Sequence, residues 1–591
     1  MIRSFRAMGF LVLILSAFAL GQTSSTHPPS TLRVGLWTLW HDKELNVSPL
    51  TDGTATLRTC GGANACGSAP LSKQIEIRAT GNQLAIGKGT GAASIEITGP
   101  VTLSAHGETL ILRNPLRISA HNGALILAVT LPVETYVERV VASESGSADG
   151  NESMKALAVV VRSFALHLKH GHGEYDLCDS THCQLLRWGI GTGRHAAAHA
   201  ATLETAGETL WFHGQRAEAW FHQNCGGRTA SPSEVWHSTA IGSEPARRPM
   251  PWLASRTDPY CTANGAREWS ARLSLADLTI ALGTAGLVRP GWKSLTVARR
   301  GESGRAEALM VGSAEVSAED FRLAVGHALG WNKILSTWFE VSTQGDQFSF
   351  HGRGSGHGVG LCQAGAAAMS AAGRDYRQIL GQYFPGANVA DEVTGTSWQT
   401  LGGQGFKLQT LNATDTTYVP QLNQALADAE LRSGLKPIDS IALRAFRSTA
   451  AFRDATLAPG WVAAFTEGNW IGTQPLATLA ERRLLGSVIR HEFLHALVEG
   501  QAASNTPLWL REGLVEAWST NGALKQNATA PALKLDEVDG ALVHAKTEAH
   551  AQAAHHAAGF YARRLLDRYG REQVIAWLRD GIPATVPATV N

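Results

Sequence analysis

The chain has 591 residues, too many for a single hydrophobic core, so two to four domains are expected. A composition of 44% hydrophobic and 17% charged residues excludes wholesale disorder. With 51 basic against 50 acidic residues there is no bulk field to attract nucleic acid or an anionic membrane surface, and neither is expected as a partner.

In chain order, Arg3 and Arg6 precede an apolar run from Met8 to Leu20, followed by Gly21-Gln22-Thr23. This reads as a signal peptide over residues 1–22, and the chain is expected to be exported to the periplasm or cell envelope. No cysteine follows to carry a lipid, and no later stretch approaches the ~18 apolar residues of a membrane span. From Thr31 to Leu131, short β-type runs alternate with Gly, Asn and Asp turns. Leu32–Trp40, Gln74–Thr80, Ser94–Ile97, Thr109–Arg113 and Ala124–Thr130 are the expected strands. The period then changes. Val133, Val137, Val140 and Val141 share one helical face, as do Met154, Leu157, Ala158, Val161, Ala165 and Leu168 in a second helix. Asn151 is the expected N-cap of that helix, and Gly171 and Gly173 its stop. Residues 175–400 mix strands, turns and a few helices. Within the Gly- and Thr-bearing stretch Asn388 to Gly405, residues 391–405 are taken as a linker. Beyond it the pattern is mostly helical, with one strand at Trp461–Thr466 and a last amphipathic helix from His550 to Arg568, stopped by Gly570. The overall expectation is an α+β, multidomain chain, a mixed α/β first region followed by a mostly helical domain with a small sheet.

Seven cysteines occur, with Cys60/Cys66 and Cys178/Cys183 as close pairs and Cys225, Cys261 and Cys362 apart. An exported protein would pair most of them, and the odd count leaves a thiol or a metal site over. Cys178 and Cys183 with His182 suit either a disulfide or a metal, with Cys225 or Cys362 as a further ligand. The Gly352–Gly360 run lacks the Gly-Lys-Ser/Thr of a phosphate loop and any strand–helix dinucleotide context; its glycines suit close approach to a polysaccharide or a tight turn.

Glu144 falls at i+4 from Val140, on the valine face at the end of its helix. Partial burial and the negative end of the helix dipole both raise its pKa, which suits a general acid near neutral pH. Arg162, at the edge of the next helix's stripe, is placed to reach back toward it. The run Leu131-Pro-Val-Glu-Thr-Tyr-Val-Glu-Arg-Val-Val-Ala-Ser-Glu144 and the run Met154 to Ala165 resemble the opening motifs of the SpoIID/LytB family. Asp176 to Gln184, Cys225-Gly-Gly-Arg-Thr-Ala with Glu234-Val-Trp236, Gly354 to Gly365 and Ile379 to Gly386 continue the resemblance in order, within a region expected to span 31–390. The resemblance implies a lytic transglycosylase or amidase enhancer, with Glu144 as catalytic acid and Arg162 as the motif arginine. The implied substrate is the peptidoglycan glycan strand, cut between N-acetylmuramic acid and N-acetylglucosamine, and a wall amidase is an implied partner. A single carboxyl group suffices there: it protonates the leaving oxygen, then takes the proton of the sugar's own 6-hydroxyl as a 1,6-anhydro ring closes, unlike a two-carboxylate hydrolase. The family also implies zinc at Cys178, His182 and Cys183 in some relatives, and His182 and His357 are candidates to touch sugar hydroxyls.

His491-Glu-Phe-Leu-His495 is the clearest chemical motif. On one helical face both imidazoles can bind one Zn²⁺, with Glu492 as general base. By composition alone about 0.04 chance occurrences are expected in this chain. Thr478-x-x-Glu481 reads as the capping box opening the helix and Gly500 as its end. Pro507-Leu-Trp-Leu-Arg-Glu512-Gly-Leu-Val-Glu516 resembles the gluzincin arrangement and implies Glu512 as third ligand, within a peptidase-MA-like domain over 406–580. Trp461–Thr466 could serve as the edge strand that pairs with a peptide. Tyr561, His555 and His556 are available as a transition-state donor.

Overall fold

The computed structural model describes residues 31–590 apart from 51–54, 62–65, 88, 168–171, 190–191, 237–249, 264, 266, 520–530 and 546. The expected signal peptide lies outside the described residues, as do Leu168 and Gly171. Two compact units divide between Gly395 and Thr396. The expected linker is therefore too long at both ends. Asn388–Asp391 is a strand paired with Glu208–Phe212, while Gln399–Gly402 opens the sheet of the second unit.

In the first unit, residues 31–132 form two six-stranded antiparallel sheets. Their alternating rows, such as Leu45, Val47, Ile95, Ile97, Val101 and Leu103, point inward and are fully buried, as a half-buried strand requires. The expected strands appear with shifted ends: Leu32–Trp40 shortens to Thr31–Gly35, and Ala124–Thr130 lengthens to Ala124–Pro132. Seven further strands are not among those expected; some, such as Glu44–Pro49 and Val101–Ala105, do alternate but are only five or six residues long. Cys60 and Cys66 are disulfide-bonded across the Thr56–Cys60 and Cys66–Pro70 hairpin.

The helix Val133–Glu144 follows without a break, its valines buried against the helix Asn151–His167. Asn151 is the first residue of that helix, one place later than an N-cap. Both helices join the sheets in one core that also takes in Leu361, Ile379 and Phe384. Residues 268–353 have a core of their own, around Leu278, Leu309, Phe321, Phe339, Phe348 and Phe350. Two three-stranded sheets and the helices Leu275–Thr284 and Ala318–Leu329 enclose it. This body leaves and re-enters the larger one side by side: Glu268–Ser274 pairs antiparallel with Gln347–Arg353, and the Gly354 amide donates to the Arg267 carbonyl at 2.7 Å. The expected single region 31–390 therefore holds an inserted second core.

The second unit, expected to be mostly helical with a small sheet, has more strands than the one placed at Trp461–Thr466, which is observed at Ala464–Glu467. It carries a five-stranded sheet in the order Gln399–Gly402, Phe406–Thr410, Ile441–Ala445, Trp470–Thr473, Ala464–Glu467. Its inner three strands are parallel and the outer two antiparallel. Buried parallel strands such as Ile441–Ala445 read as short apolar runs, which periodicity alone does not separate from helix. Against the sheet lie the helices Val419–Ser433, Leu485–Glu499 and Leu508–Ser519. The final helix, Glu548–Asp580, breaks at Gly570 (φ 80°), where the stop is expected, and then resumes. Among the described residues no helix is long and apolar enough to cross a membrane.

Candidate functional sites

Glu144 ends the helix Val133–Glu144, and its Oε1 accepts the Leu185 amide at 3.2 Å. Burial pushes its carboxyl up to about 7, against the smaller opposing pull of the Leu185 amide and the Arg187 charge. Gln363, from the glycine-rich motif, donates its side-chain amide to the Glu144 carbonyl at 3.2 Å. Ser143 accepts the Arg187 amide at 2.8 Å, and the Tyr136 hydroxyl donates to Gln184 at 2.9 Å. The helix end thus holds the segment 184–187 beside the carboxyl through three side chains. The carboxyl is half protonated near neutrality, the state a general acid that later becomes a base needs.

Arg162 does not reach Glu144. It is fully buried, and its Nε and Nη2 form a two-pronged pair with Glu134 at 2.9 and 2.5 Å. Its Nη1 donates to the Glu208 carbonyl at 3.0 Å. Glu134 lies ten residues before Glu144, about 15 Å along the helix axis. Arg162 is therefore a buried clamp between the two helices and the strand that begins at Glu208. Glu134 could have been foreseen as its partner, since it shares a face with Val137 and Val141.

Directly before Gln184 and Leu185 the structure gathers His172, Cys178, His182 and Cys183, whose ligand atoms all lie within 4.8 Å of one another. Cys178 and Cys183 are not disulfide-bonded; their sulfurs are 2.8 Å apart, and His182 Nδ1 is 3.7 Å from each. Hydrogen bonding from Cys183, opposed by burial and helped by His182, pulls the Cys178 thiol down to about 3. Two thiols and two imidazoles suit a tetrahedral Zn²⁺ site. His172 is the member of this cluster not expected from the sequence. Cys225 and Cys362, expected as further ligands, lie instead in a separate cluster. His182 belongs to the thiol cluster, and His357 Nδ1 accepts the Val359 amide at 3.1 Å.

In the second unit, His491, Glu492 and His495 ride on the helix Leu485–Glu499, anchored by buried Ile489, Phe493, Leu494 and Leu497. Thr478 and Glu481 do not open this helix. They belong to the separate helix Leu476–Glu481, and Arg483 at φ 56° breaks the chain between the two. The two imidazole Nε2 atoms face each other at 3.1 Å, and His495 Nε2 is 3.8 Å from Glu512. Ser519 holds His491 Nδ1 at 2.9 Å, which leaves Nε2 for a ligand. Burial lowers both histidines, favouring the neutral form that binds metal. These donors fit a Zn²⁺ ion, though they close less tightly than the thiol clusters.

Glu492, raised by burial, accepts from the Thr466 hydroxyl at 2.6 Å. Thr466 lies on Ala464–Glu467, the edge strand of the sheet. Glu512 and Glu516 come from the helix Leu508–Ser519, which meets the final helix at Gly513 and Gly559. A side chain at Gly513 would strike the Ala558 carbonyl, and one at Gly559 the Glu516 side chain. That close approach brings His555 Nδ1 to 3.5 Å from Glu512 and 3.6 Å from Glu516, buried and without a hydrogen-bond partner. Burial, with Glu512 nearby, raises Glu516 to about 7. Tyr561 is tied to the Leu533 carbonyl at 3.1 Å, so of the candidate donors His555 is the one beside the site.

Residues 121–212, which span both helices and Glu144, match the family model SpoIID, described as stage II sporulation protein. Residues 262–360, the inserted body, match a domain of unknown function. Among curated proteins, the chain is 26% identical over 270 residues to an uncharacterised protein of Brachyspira hyodysenteriae, covering 44% of this chain and 67% of that protein. It is 24% identical over 277 residues to stage II sporulation protein D of Bacillus subtilis, covering 44% and 75%. It is also 24% identical over 290 residues to the amidase enhancer of Bacillus subtilis, covering 42% of this chain and 39% of that protein.

Proposed function

We propose that this chain is an exported, peptidoglycan-remodelling enzyme whose first unit cleaves glycan strands in the manner of a lytic transglycosylase. The observation that carries the reading is Glu144: a buried carboxyl raised to about 7, held by the Leu185 amide at the end of an apolar helix face. In its protonated form it gives its proton to the glycosidic oxygen. As a carboxylate it then takes the proton from the muramoyl 6-hydroxyl while the anhydro ring closes. Arg162 is a positioning residue that fixes the crossing of the two helices.

The second unit is read as a zinc metallopeptidase acting on wall peptides. His491 and His495, with Glu512, would hold Zn²⁺, which when bound supplies an acidified water and polarises the scissile carbonyl. Glu492, whose carboxylate is oriented by Thr466, would serve as the base that takes a proton from an attacking water. The strand Ala464–Glu467, last in the sheet among the described residues, would pair with an extended peptide, which would lie next to the base.

The test is mass spectrometry of muropeptides released from purified sacculi by the full chain. New 1,6-anhydro ends, absent with Glu144→Gln, are expected. Peptide cleavage should disappear with Glu492→Gln while those ends persist. The similarity to an amidase enhancer favours a second reading, a non-catalytic wall-binding partner of an amidase. Sacculi left intact by the chain alone but digested faster once an amidase is added would favour it.

A further inference from the structure

A second thiol cluster lies in the first unit, at the neck of the inserted body, and neither proposed activity uses it. Phe221–His222 and Leu361–Cys362 pair in parallel, so that Cys225 follows one strand and Cys362 ends the other. Asp258 and Cys261 come from the turn just before the insertion. The ligand atoms of these four residues lie within 4.8 Å of one another, and every one of the four is at most 6% exposed. We propose that Cys225, Asp258, Cys261 and Cys362 form a structural Zn²⁺ site that pins the entry and exit of the 268–353 body.

The donor set selects the ion. Three thiolates and one carboxylate favour a thiophilic, tetrahedral metal over calcium or magnesium. Sulfurs bound to one Zn²⁺ sit about 3.8 Å apart, within the 4.8 Å that bounds the separations of these ligand atoms. Two of the three sulfurs accept backbone amides, while Cys261 Sγ lies 3.3 Å from Asn224 Oδ1. Cys362 Sγ accepts the Cys225 and Gly365 amides at 3.2 and 3.5 Å, and Cys225 Sγ accepts the Gly227 amide at 3.3 Å. Amide donors of this kind stabilise metal-bound sulfur and fix its direction. Asp258 is oriented in turn, with the Tyr383 hydroxyl donating to Oδ2 at 2.8 Å and the Cys261 amide to Oδ1 at 3.0 Å. A side chain at Gly365 would collide with Tyr383 and Asp258, so this residue has to be glycine for the set to close.

Charge supports the same assignment. Four anionic ligands around a dication leave two negative charges, and the fully buried Arg305 guanidinium sits beside them, donating to the Cys225 carbonyl at 2.8 Å. A disulfide between two of the cysteines would leave a third thiol and the buried Asp258 carboxylate without a function. Arg305 belongs to the inserted body, so the site joins that body to the strands on either side of it.

The test uses the full chain carrying Cys178→Ala and Cys183→Ala, which removes the other thiol cluster. Zinc is counted by inductively coupled plasma mass spectrometry, and the protein is reloaded with Co²⁺. The expected spectrum has a sulfur-to-cobalt charge-transfer band and the visible bands of a tetrahedral site. Cys362→Ala should lose one metal equivalent and these bands. Asp258→Cys, which completes a four-thiolate set, should keep the metal and shift the visible bands to longer wavelength, and it decides the matter if Cys362→Ala does not fold. A disulfide between any two of Cys225, Cys261 and Cys362 in non-reducing peptide maps would overturn the proposal. So would three free thiols with no thiolate–cobalt band.

Discussion

Replacing Glu144 by glutamine should stabilise the first unit at alkaline pH and leave it unchanged in acid. The folded-state pKa of Glu144 stands at about 7 against an ordinary 4.5, because burial disfavours the charged form. Between those values the folded chain holds a proton that the unfolded chain has lost, so stability falls as pH rises from about 4.5 through 7 and is level beyond. The difference of about 2.5 pKa units corresponds to about 3 kcal/mol, an upper figure because the side chain is only partly sealed from water. The substituted glutamine would keep the Leu185 hydrogen bond through its amide oxygen and carry no charge. Pulse proteolysis across a urea series, with fragments assigned by mass to residues 31–395, measures the effect at pH 5 and pH 8. A gain of roughly 1 kcal/mol or less at pH 5, rising to about 2–3 kcal/mol at pH 8, is expected. A pH-independent difference, or a loss at pH 8, would refute the reasoning that burial raises this carboxyl. A gain in stability accompanied by loss of glycan cleavage would also mark Glu144 as a residue retained at a cost to the fold.

Other outcomes follow from the same geometry. Glycan cleavage by the unaltered chain should fall about tenfold per pH unit above 7, as Glu144 loses its proton, which a pH–rate profile on sacculi checks. Arg162→Met should cost about 3–5 kcal/mol by leaving Glu134 buried and unpaired, and adding Glu134→Leu should recover most of the loss in the same urea series. Ser519→Ala should weaken zinc binding at the His491/His495 site by about 10–100-fold in chelator competition, because His491 loses the contact that orients its ring. Gly513→Ala should separate the helices carrying Glu512 and His555, lowering peptidase activity together with thermal stability.

How much of this was legible depended on the range of the contacts. The placement of Glu144 is local: an i+4 relation to a valine stripe is visible within one helix, and the burial it implies is what raises the carboxyl. HExxH is likewise a one-helix pattern. Arg162 misled because three glutamates, Glu134, Glu138 and Glu144, lie on the preceding helix, and only the crossing of the two helices selects among them. The capping signal at Thr478 failed because a left-handed Arg483 divides what reads as one helix into two. In the second unit Trp470–Thr473 was hidden because a strand buried on both faces carries no alternation, whereas Phe406–Thr410 does alternate and is only five residues long. The cysteine cluster joins positions as far as 137 residues apart, with the whole inserted body between Cys261 and Cys362, and no spacing rule reaches that far.

That inserted body enters and leaves through neighbouring ends, with Arg267 and Gly354 joined by one backbone hydrogen bond. To the host chain it therefore has the topology of a long hairpin tip, and exposed tips tolerate exchange. Residues 268–353 have the topology of a cassette, and an unrelated domain with adjacent termini placed there would have to supply the contact that Arg305 makes with the Cys225 carbonyl. New binding properties could thus be acquired at this one position while the Glu144 helix and its partners keep their arrangement.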